Sequence, residues 1–440
     1  MLPLLVLVSL QQTAPESRPL PSVQVELQDV LKAPRPNILL IVADDYGVDL
    51  AASYQEGSAP ACTPFIDSLA AEGLLFRNAW ANPTCSPTRA ALLTGRYGFR
   101  TGVGDVQLQA DAGLLLSETT LPEMLVGYST AALGKWHLAG NQGNLHPNAS
   151  GFGHYAGSIG GGVPNYMQWP KITDGQFSMS TTYATVDVAD EAIEAMQTLP
   201  EPWFLYVSFN APHTPLHQPP RTACSPPMCP TSFCGNLPPS PGAPALVKAM
   251  SEAMDHEIGR ILALLELQDP NALVVFVGDN GTDPRAVESP FLSDRAKGTV
   301  YEGGVNVPLI IRGPGVAVGE CQALVSVVDF FATFAELAGV PSLAEDSVSL
   351  VSYFDDPSLA LRETVFSERF SSSGGPPFTD HQRAIRDARY KLIRRSGQPD
   401  ELYDLVVDPF ESSNLLPNLS AIEQQAYDAL VTELVVLGVD

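Results

Sequence analysis

The string Cys85-Ser-Pro-Thr-Arg89-Ala-Ala-Leu-Leu-Thr-Gly-Arg96 carries the most specific chemistry in the chain. Pro87 suits a first helical turn and the residues to Thr94 continue the helix, so Cys85 stands at a helix N-terminus. Exposed N–H groups there favour an anion. That lowers a thiol below its free pKa of ~8.5 and suggests a nucleophilic thiolate. A structural cysteine at a helix start is the plain alternative. Arg89 follows one turn later on the same face. Two acidic pairs, Asp44-Asp45 and Asp279-Asn280, each close an apolar run. Carboxylates crowded together repel one another unless a cation lies among them, and an oxygen-only set at ~2.3–2.6 Å favours Ca2+, with Mg2+ the nearest competitor. Taken singly, DDYG and DNG are also ordinary turn sequences. Asn280-Gly-Thr282 fits a glycosylation sequon too, which a buried metal ligand could not serve. Lys135 and His137 in GKWHL, His213 in APHTP and Lys297 in KGTVYEGG are groups able to bind an oxyanion or move a proton. Only six lysines occur in all, so two of them in such strings is informative.

These residues need a scaffold that gathers them. Residues 37–43 (NILLIVA), 203–209 (WFLYVSF) and 272–278 (ALVVFVG) are continuous apolar runs of the kind a strand buried on both faces requires. A shorter run, 128–133, stops at Gly134-Lys135-Trp136-His137. Helical spacing of apolar residues marks 62–72, 182–198 and 245–267. The alternation predicts an α/β fold, a large mainly parallel sheet flanked by helices on both faces. Ligands of such sheets bind outside the carboxyl ends of the strands, where each polar string falls. Beyond about residue 340, short strands at 364–369, 382–386, 389–394 and 400–405 and a helix at 420–436 predict a smaller C-terminal antiparallel sheet with a helix. The expected boundaries are a catalytic α/β domain at 34–350 and a C-terminal α+β subdomain at 351–440.

In these strings the chain resembles the sulfatase family of the alkaline-phosphatase-like superfamily. Cys85-Ser-Pro-Thr-Arg89 with Leu93-Thr-Gly-Arg96 matches the family's C-x-[PA]-[ST]-R…TG signature, joined in order by DDYG, GKWHL, APHTP, DNG and KGTVYEGG. The resemblance runs from about residue 34 to 440. It implies that Cys85 is oxidised to Cα-formylglycine by a formylglycine-generating enzyme. The hydrated aldehyde then attacks sulfur, expels the alcohol and leaves a covalent sulfo-enzyme, which eliminates sulfate. It also implies Asp44, Asp45, Asp279 and Asn280, together with the modified Cys85, as Ca2+ ligands, and Arg89 as the holder of the diol and metal shell. Lys135 and Lys297 would bind sulfate oxygens. His137 would serve as base in the elimination, and His213 with Lys297 would protonate the leaving group. Sulfate-monoester hydrolysis, on an aryl group or a carbohydrate, is the expected activity. A phosphodiesterase or phosphonate monoester hydrolase and a non-catalytic anion-binding relative are the alternatives. Thr88 replaces a common Ser, and Asn306 stands where many relatives carry Arg, which puts the site's surroundings there in question. The Cys- and Pro-rich stretch 218–244 reads as an insertion that could shape the pocket beside His213. Gly-rich 158–162 reads as a pliable loop near its entrance.

Composition sets outer limits. With 440 residues, 45% hydrophobic, 17% charged and a net charge of −25, the chain is neither a disordered polyelectrolyte nor a nucleic-acid binder. Met1 to Leu10 followed by QQTAPES reads as the core of a signal peptide within 1–20. No run approaches ~18 apolar residues, so export without a stable membrane anchor is expected. Of the six cysteines, three lie in CSPPMCPTSFC, where a local disulfide in an oxidising compartment outweighs a zinc site lacking His. With Cys85 set aside, the five others, Cys62, Cys224, Cys229, Cys234 and Cys321, leave at least one unpaired or intermolecular.

Overall fold

Strand β1 (Ile38–Ala43) buries every side chain, and its residues divide alternately between two cores. The computed structural model describes residues 35–439 except 225–228 and 343, so the expected signal segment lies outside the described residues. Ile38, Leu40 and Val42 face a core shared with α2 (Cys85–Thr94), α5 (Asp329–Ala338) and α6 (Ala421–Leu437). Leu39, Ile41 and Ala43 face the opposite one, built with α1 (Pro64–Glu72), α3 (Ala184–Thr198) and α4 (Ala243–Gln268). A strand apolar at consecutive positions therefore lies in the middle of a three-layer α/β sandwich, as the sequence predicts.

The large sheet has the order β10-β2-β9-β8-β1-β7-β3-β4-β5-β6. Its remaining strands are β2 (Leu74–Trp80), β3 (Ser129–Gly134), β4 (His154–Gly157), β5 (Trp169–Thr173), β6 (Gln176–Ser180), β7 (Trp203–Ser208), β8 (Leu273–Gly278), β9 (Leu309–Arg312) and β10 (Gly319–Ser326). The run β8-β1-β7-β3-β4 is parallel throughout, while β9 and β5 run against their neighbours. Register then delivers the chemistry. Val42 pairs with Ser208, Gly134 with Ser208 and Ala43 with Gly278, so Asp44, Lys135 and Asp279 leave the sheet along one edge. Gly134 has φ +97°, and a Cβ there would lie 2.0 Å from the Ser208 carbonyl, so only glycine lets β3 close against β7.

The small sheet, β11 (Val365–Ser371), β12 (Thr379–Arg386), β13 (Tyr390–Arg395) and β14 (Glu401–Asp404), is antiparallel in sequential order. Trp80, Tyr301, Val365, Ile393 and Tyr403 form the apolar seam between the two sheets. Across it, buried Lys391 pairs with Glu302 at 3.0 Å and Glu411 at 2.8 Å. Two disulfides, Cys62–Cys229 and Cys224–Cys234, pin the 218–244 region, while Cys85 and Cys321 are free and buried. The second of these is the expected local bond. The first reaches instead to the residue two places before α1. Among the described residues no helix is long and apolar enough to cross a membrane.

Candidate active site

Along the carboxyl edge the backbone locks each turn to its neighbour. Asp279 N–H donates to Ala43 O at 3.0 Å, Asp44 N–H to Ala211 O at 3.1 Å and Lys135 N–H to Ser208 O at 2.8 Å. Asp45 takes a left-handed conformation, φ 65°, and its N–H donates to Asp279 Oδ1 at 3.0 Å. Asp44, Asp45, Asp279 and Asn280 are thus brought together, each 2% exposed or less. Lys135 Nζ donates to Asp44 Oδ2 and Lys297 Nζ to Asp45 Oδ1, both at 2.5 Å. Arg89 projects from α2 and donates from Nε and Nη2 to Asp279 Oδ2, at 3.2 and 2.8 Å. Its Nη1 is spent on Lys135 O, Tyr206 Oη and Ser208 Oγ, at 3.0, 3.2 and 2.5 Å.

The three carboxylates and three cations balance, yet two oxygens are left over. Asp44 Oδ1 and Asn280 Oδ1 are buried without a hydrogen-bond partner, and Asn280 Nδ2 is already committed to Asp45 Oδ1 at 2.9 Å. Unsatisfied buried oxygens are costly, and a hard cation is the natural partner for such a set. Ligating atoms of Asp44, Cys85 and Asp279 lie within 4.8 Å of one another, as do those of Asp44, Asp45 and His213. Asn280 is fully buried, which removes the glycosylation reading of its sequon.

Cys85 opens α2 at 1% exposure, its Sγ 3.1 Å from His137 Nδ1. Burial pushes the thiol pKa up, against the pull of Lys135. Burial thus works against the thiolate that a helix N-terminus alone suggests. His137, φ 60°, is held well below the usual histidine range by burial and then by Lys135 and Arg89, which keeps it neutral. His213 bonds through Nδ1 to Thr214 O at 2.8 Å and is pushed down to about 4 by burial and Lys135. For Asp45, Lys297 with His213 and Lys135 overcomes the effect of burial and holds the carboxyl well below its usual range. Asp279 is pushed up to about 6 by burial and Asp44, against Arg89.

A pocket of about 660 Å³ opens above these groups, lined by Cys85, His137, His213 and Lys297. Gly160 and Gly161 form part of its wall, as expected of the glycine loop. A Cβ on Gly161 would lie 2.4 Å from the His137 ring, so a side chain there would displace that imidazole. The 218–244 stretch contributes no wall among the described residues. Ser232, Phe233 and Cys234 dock instead on Glu252 of α4, and loops 106–109 and 139–144 take the walls. Asn306 also stays away from the pocket lining, donating from Nδ2 to Arg77 O at 3.3 Å. Sequence reasoning missed Ser86, whose hydroxyl donates to His137 O at 2.9 Å, and Tyr206 and Ser208, which orient Arg89. Ser86 lies inside the cysteine motif and was findable there. The other two sit in a strand where only pairing register reveals them.

A buried sulfur among acidic groups and two lysines, at the carboxyl edge of a mostly parallel sheet, is an arrangement suited to holding an anionic group. The chain belongs to the sulfatase family: the family model described as Sulfatase matches residues 36–340, and that of the N-sulphoglucosamine sulphohydrolase C-terminal region matches 294–436. It is similar to arylsulfatase G of Rattus norvegicus, 33% identical over 86% of this chain and 79% of that protein. It is also similar to N-acetylgalactosamine-6-sulfatase of Homo sapiens, 34% identical over 69% of this chain and 62% of that protein. Among solved structures, Ps i-CgsB in complex with k-i-k-neocarrahexaose superposes with a TM-score of 0.78 at 27% identity, covering 91% of this chain and 92% of that one. These relationships make it a sulfuric ester hydrolase of the arylsulfatase-like kind.

Proposed function

We propose that this chain hydrolyses a sulfate monoester of an aryl alcohol or a carbohydrate, with Cys85 converted to Cα-formylglycine and Ca2+ held by Asp44, Asp45, Asp279 and Asn280. The observation that carries this reading is the pair of orphaned buried oxygens, Asp44 Oδ1 and Asn280 Oδ1, beside a buried Cys85. The donor set fits a hard divalent ion, Ca2+ before Mg2+. Such an ion supplies Lewis-acid polarisation of the ester and charge dispersal. The hydrated aldehyde at position 85, written in place of the sulfur seen here, supplies a hydroxyl nucleophile that a raised thiol would not match.

The chain's own side chains have separable duties in this reading. Lys135 and Lys297 bind sulfate oxygens while remaining paired with Asp44 and Asp45. Arg89 fixes Asp279 and, through it, the backbone of Asp45. Neutral His137, 3.1 Å from Cys85 Sγ, is placed to remove a proton from the group that replaces that sulfur. His213 rests neutral, and the negative charge of a bound ester favours the protonated form it needs to serve the leaving alcohol. Maturation requires a formylglycine-generating enzyme. The two disulfides and the apolar start of the chain support export to an oxidising compartment.

The mass of the Cys85-containing peptide from active native protein tests the modification, and a persistent thiol in active protein defeats it. Complete calcium removal should abolish turnover, with recovery on adding calcium back, and undiminished activity would refute the metal assignment. Turnover against aryl sulfates, saccharide sulfates, phosphodiesters and phosphonate esters separates the sulfatase from its phosphorus-directed relatives.

A further inference from the structure

The outer half of the 660 Å³ pocket has a chemical character of its own. Gln109, Asn141 and Asn144 line it, all exposed, and their side-chain amides make no hydrogen bond within the described residues. Leu108, 64% exposed, lies among them as an apolar surface. The amides are carried on a braced frame. Asp111 accepts from Leu108 N–H at 2.6 Å, and its carbonyl accepts from Asn141 N–H at 2.9 Å, which ties one loop to the other. Gln142 Nε2 donates to the carbonyls of Ala112 and Leu114, both at 2.7 Å. Gln107 is consumed as a strut, donating to Asp105 O at 3.0 Å and Ser373 Oγ at 2.5 Å while accepting from Gly113 N–H at 3.2 Å.

Charge is missing where these amides stand. Among the described residues lining the pocket no carboxylate occurs, and Lys297 is the sole Lys or Arg, already paired with Asp45 at 2.5 Å. Two guanidinium groups outside that lining are committed as well, Arg369 to Asp105 at 2.8 Å and Arg285 to Asp283 at 2.6 Å. A second anion on the substrate would therefore meet no uncommitted cation in the pocket and would lose hydration without repayment. Amides offer both donors and acceptors at no net charge, which suits hydroxyl groups, and an exposed leucine suits the apolar face of a ring.

We propose that the ring held in this pocket is an uncharged, hydroxyl-bearing sugar with a single sulfate at the bond to be cleaved, recognised by Gln109, Asn141 and Asn144 over Leu108. This rests on the sulfatase reading and narrows it, setting neutral saccharide monosulfates above rings that also carry a carboxylate or a second sulfate.

The test uses matured full-length protein whose Cys85 peptide shows the modified mass. kcat/KM is measured for 4-nitrophenyl sulfate, for neutral hexoses and N-acetylhexosamines sulfated at one hydroxyl, and for hexuronates and N-sulfated hexosamines with the same O-sulfate. Neutral rings should be preferred by about tenfold or more, the scale at which an unmatched polar group discriminates. Asn144→Lys should move the ratio toward the doubly charged rings by about tenfold through KM. Equal or better turnover of the doubly charged rings by the unaltered protein overturns the inference. So does turnover of the aryl ester with none of the saccharides. Failure with every sulfate ester, aryl included, instead overturns the sulfatase reading on which it stands.

Discussion

Asp279 shows how much one side chain can carry. Its carboxylate accepts both Nε and Nη2 of Arg89 and the backbone N–H of Asp45, and it would form one wall of the proposed cation cradle. Replacing it with Asn leaves Arg89 buried with Asp44 as its other carboxylate, 4.0 Å away. Removing one partner of a buried pair costs about 3–5 kcal/mol. Asp279→Asn should thus lower the midpoint of urea unfolding and abolish stoichiometric calcium in the purified protein. A variant with normal calcium content and an unchanged midpoint would show that Asp279 neither holds the metal nor positions Arg89. Cys85→Ala makes the opposite kind of change: a small buried group is lost from the site, so folding should survive. Turnover should fall by about a thousandfold or more, the range seen when a nucleophile is removed. Full activity in that variant would sink the assignment of position 85.

At the level of elements, α1 and α4 are joined by Asp255. From the middle of α4 its carboxylate accepts the N–H groups of Phe65 and Ile66 in the first turn of α1, at 3.1 and 2.8 Å. Burial pushes Asp255 up to about 8 from an ordinary 3.8, against the pull of those two N–H groups. A carboxyl raised in the folded state stabilises fully below its unfolded pKa, and that contribution is lost as pH rises through the folded value. For Asp255 the window runs from about 3.8 to about 8. Asp255→Asn keeps an oxygen acceptor and removes the titration, so it should flatten the fall in Tm between pH 4 and 8. A pH profile identical to that of the unaltered protein would remove Asp255 as its source. The same helix α4 also anchors the disulfide-pinned 218–244 stretch through Glu252. Among its described residues, Ser232, Phe233 and Cys234 therefore buttress the outer helix layer rather than line the pocket.

For the molecule as a whole, the small sheet is fastened to the large one by a buried charge cluster. Lys391 on β13 is fully buried between Glu302 and Glu411, with its Nζ 4.7 Å from the centre of the Trp80 ring. Lys391→Met would leave two buried carboxylates facing each other, at a cost of about 3–5 kcal/mol. Thermal unfolding should move down by several degrees, and an unchanged Tm would mean that the apolar seam alone holds the sheets together. The net charge of −25 lies outside the site, because the three carboxylates and three cations there balance, and the proposed divalent ion would make its interior positive. An anionic ester is thus drawn at short range while long polyanions are repelled at a distance, within the reach set by salt screening.

The sequence by itself determined four strands of the large sheet, the small C-terminal sheet, five of the helices and the identity of the charged set; the six other strands of the large sheet and α5 had no comparable signal. Buried runs such as ILLIVA can satisfy their side chains only inside a sheet covered on both faces, and Asp, Lys and His at strand ends stay local whatever the neighbours do. The odd count beside Cys85 required at least one further cysteine outside an internal disulfide, and the structure identifies it as Cys321. Strand order, register and depth were settled by tertiary structure alone. Pairing of β1 with β8 and, through β7, its link to β3 bring Asp44 within reach of Asp279 and Lys135, far away in the chain. No local preference encodes that pairing. Depth was equally hidden, since the fold buries a Cys85 thiol whose exposure the helix-start position did not settle. The free amides of Gln109, Asn141 and Asn144 belong to the same class: as sequence they are ordinary loop residues, and only the closure of two loops through Asp111 turns them into the wall of a pocket.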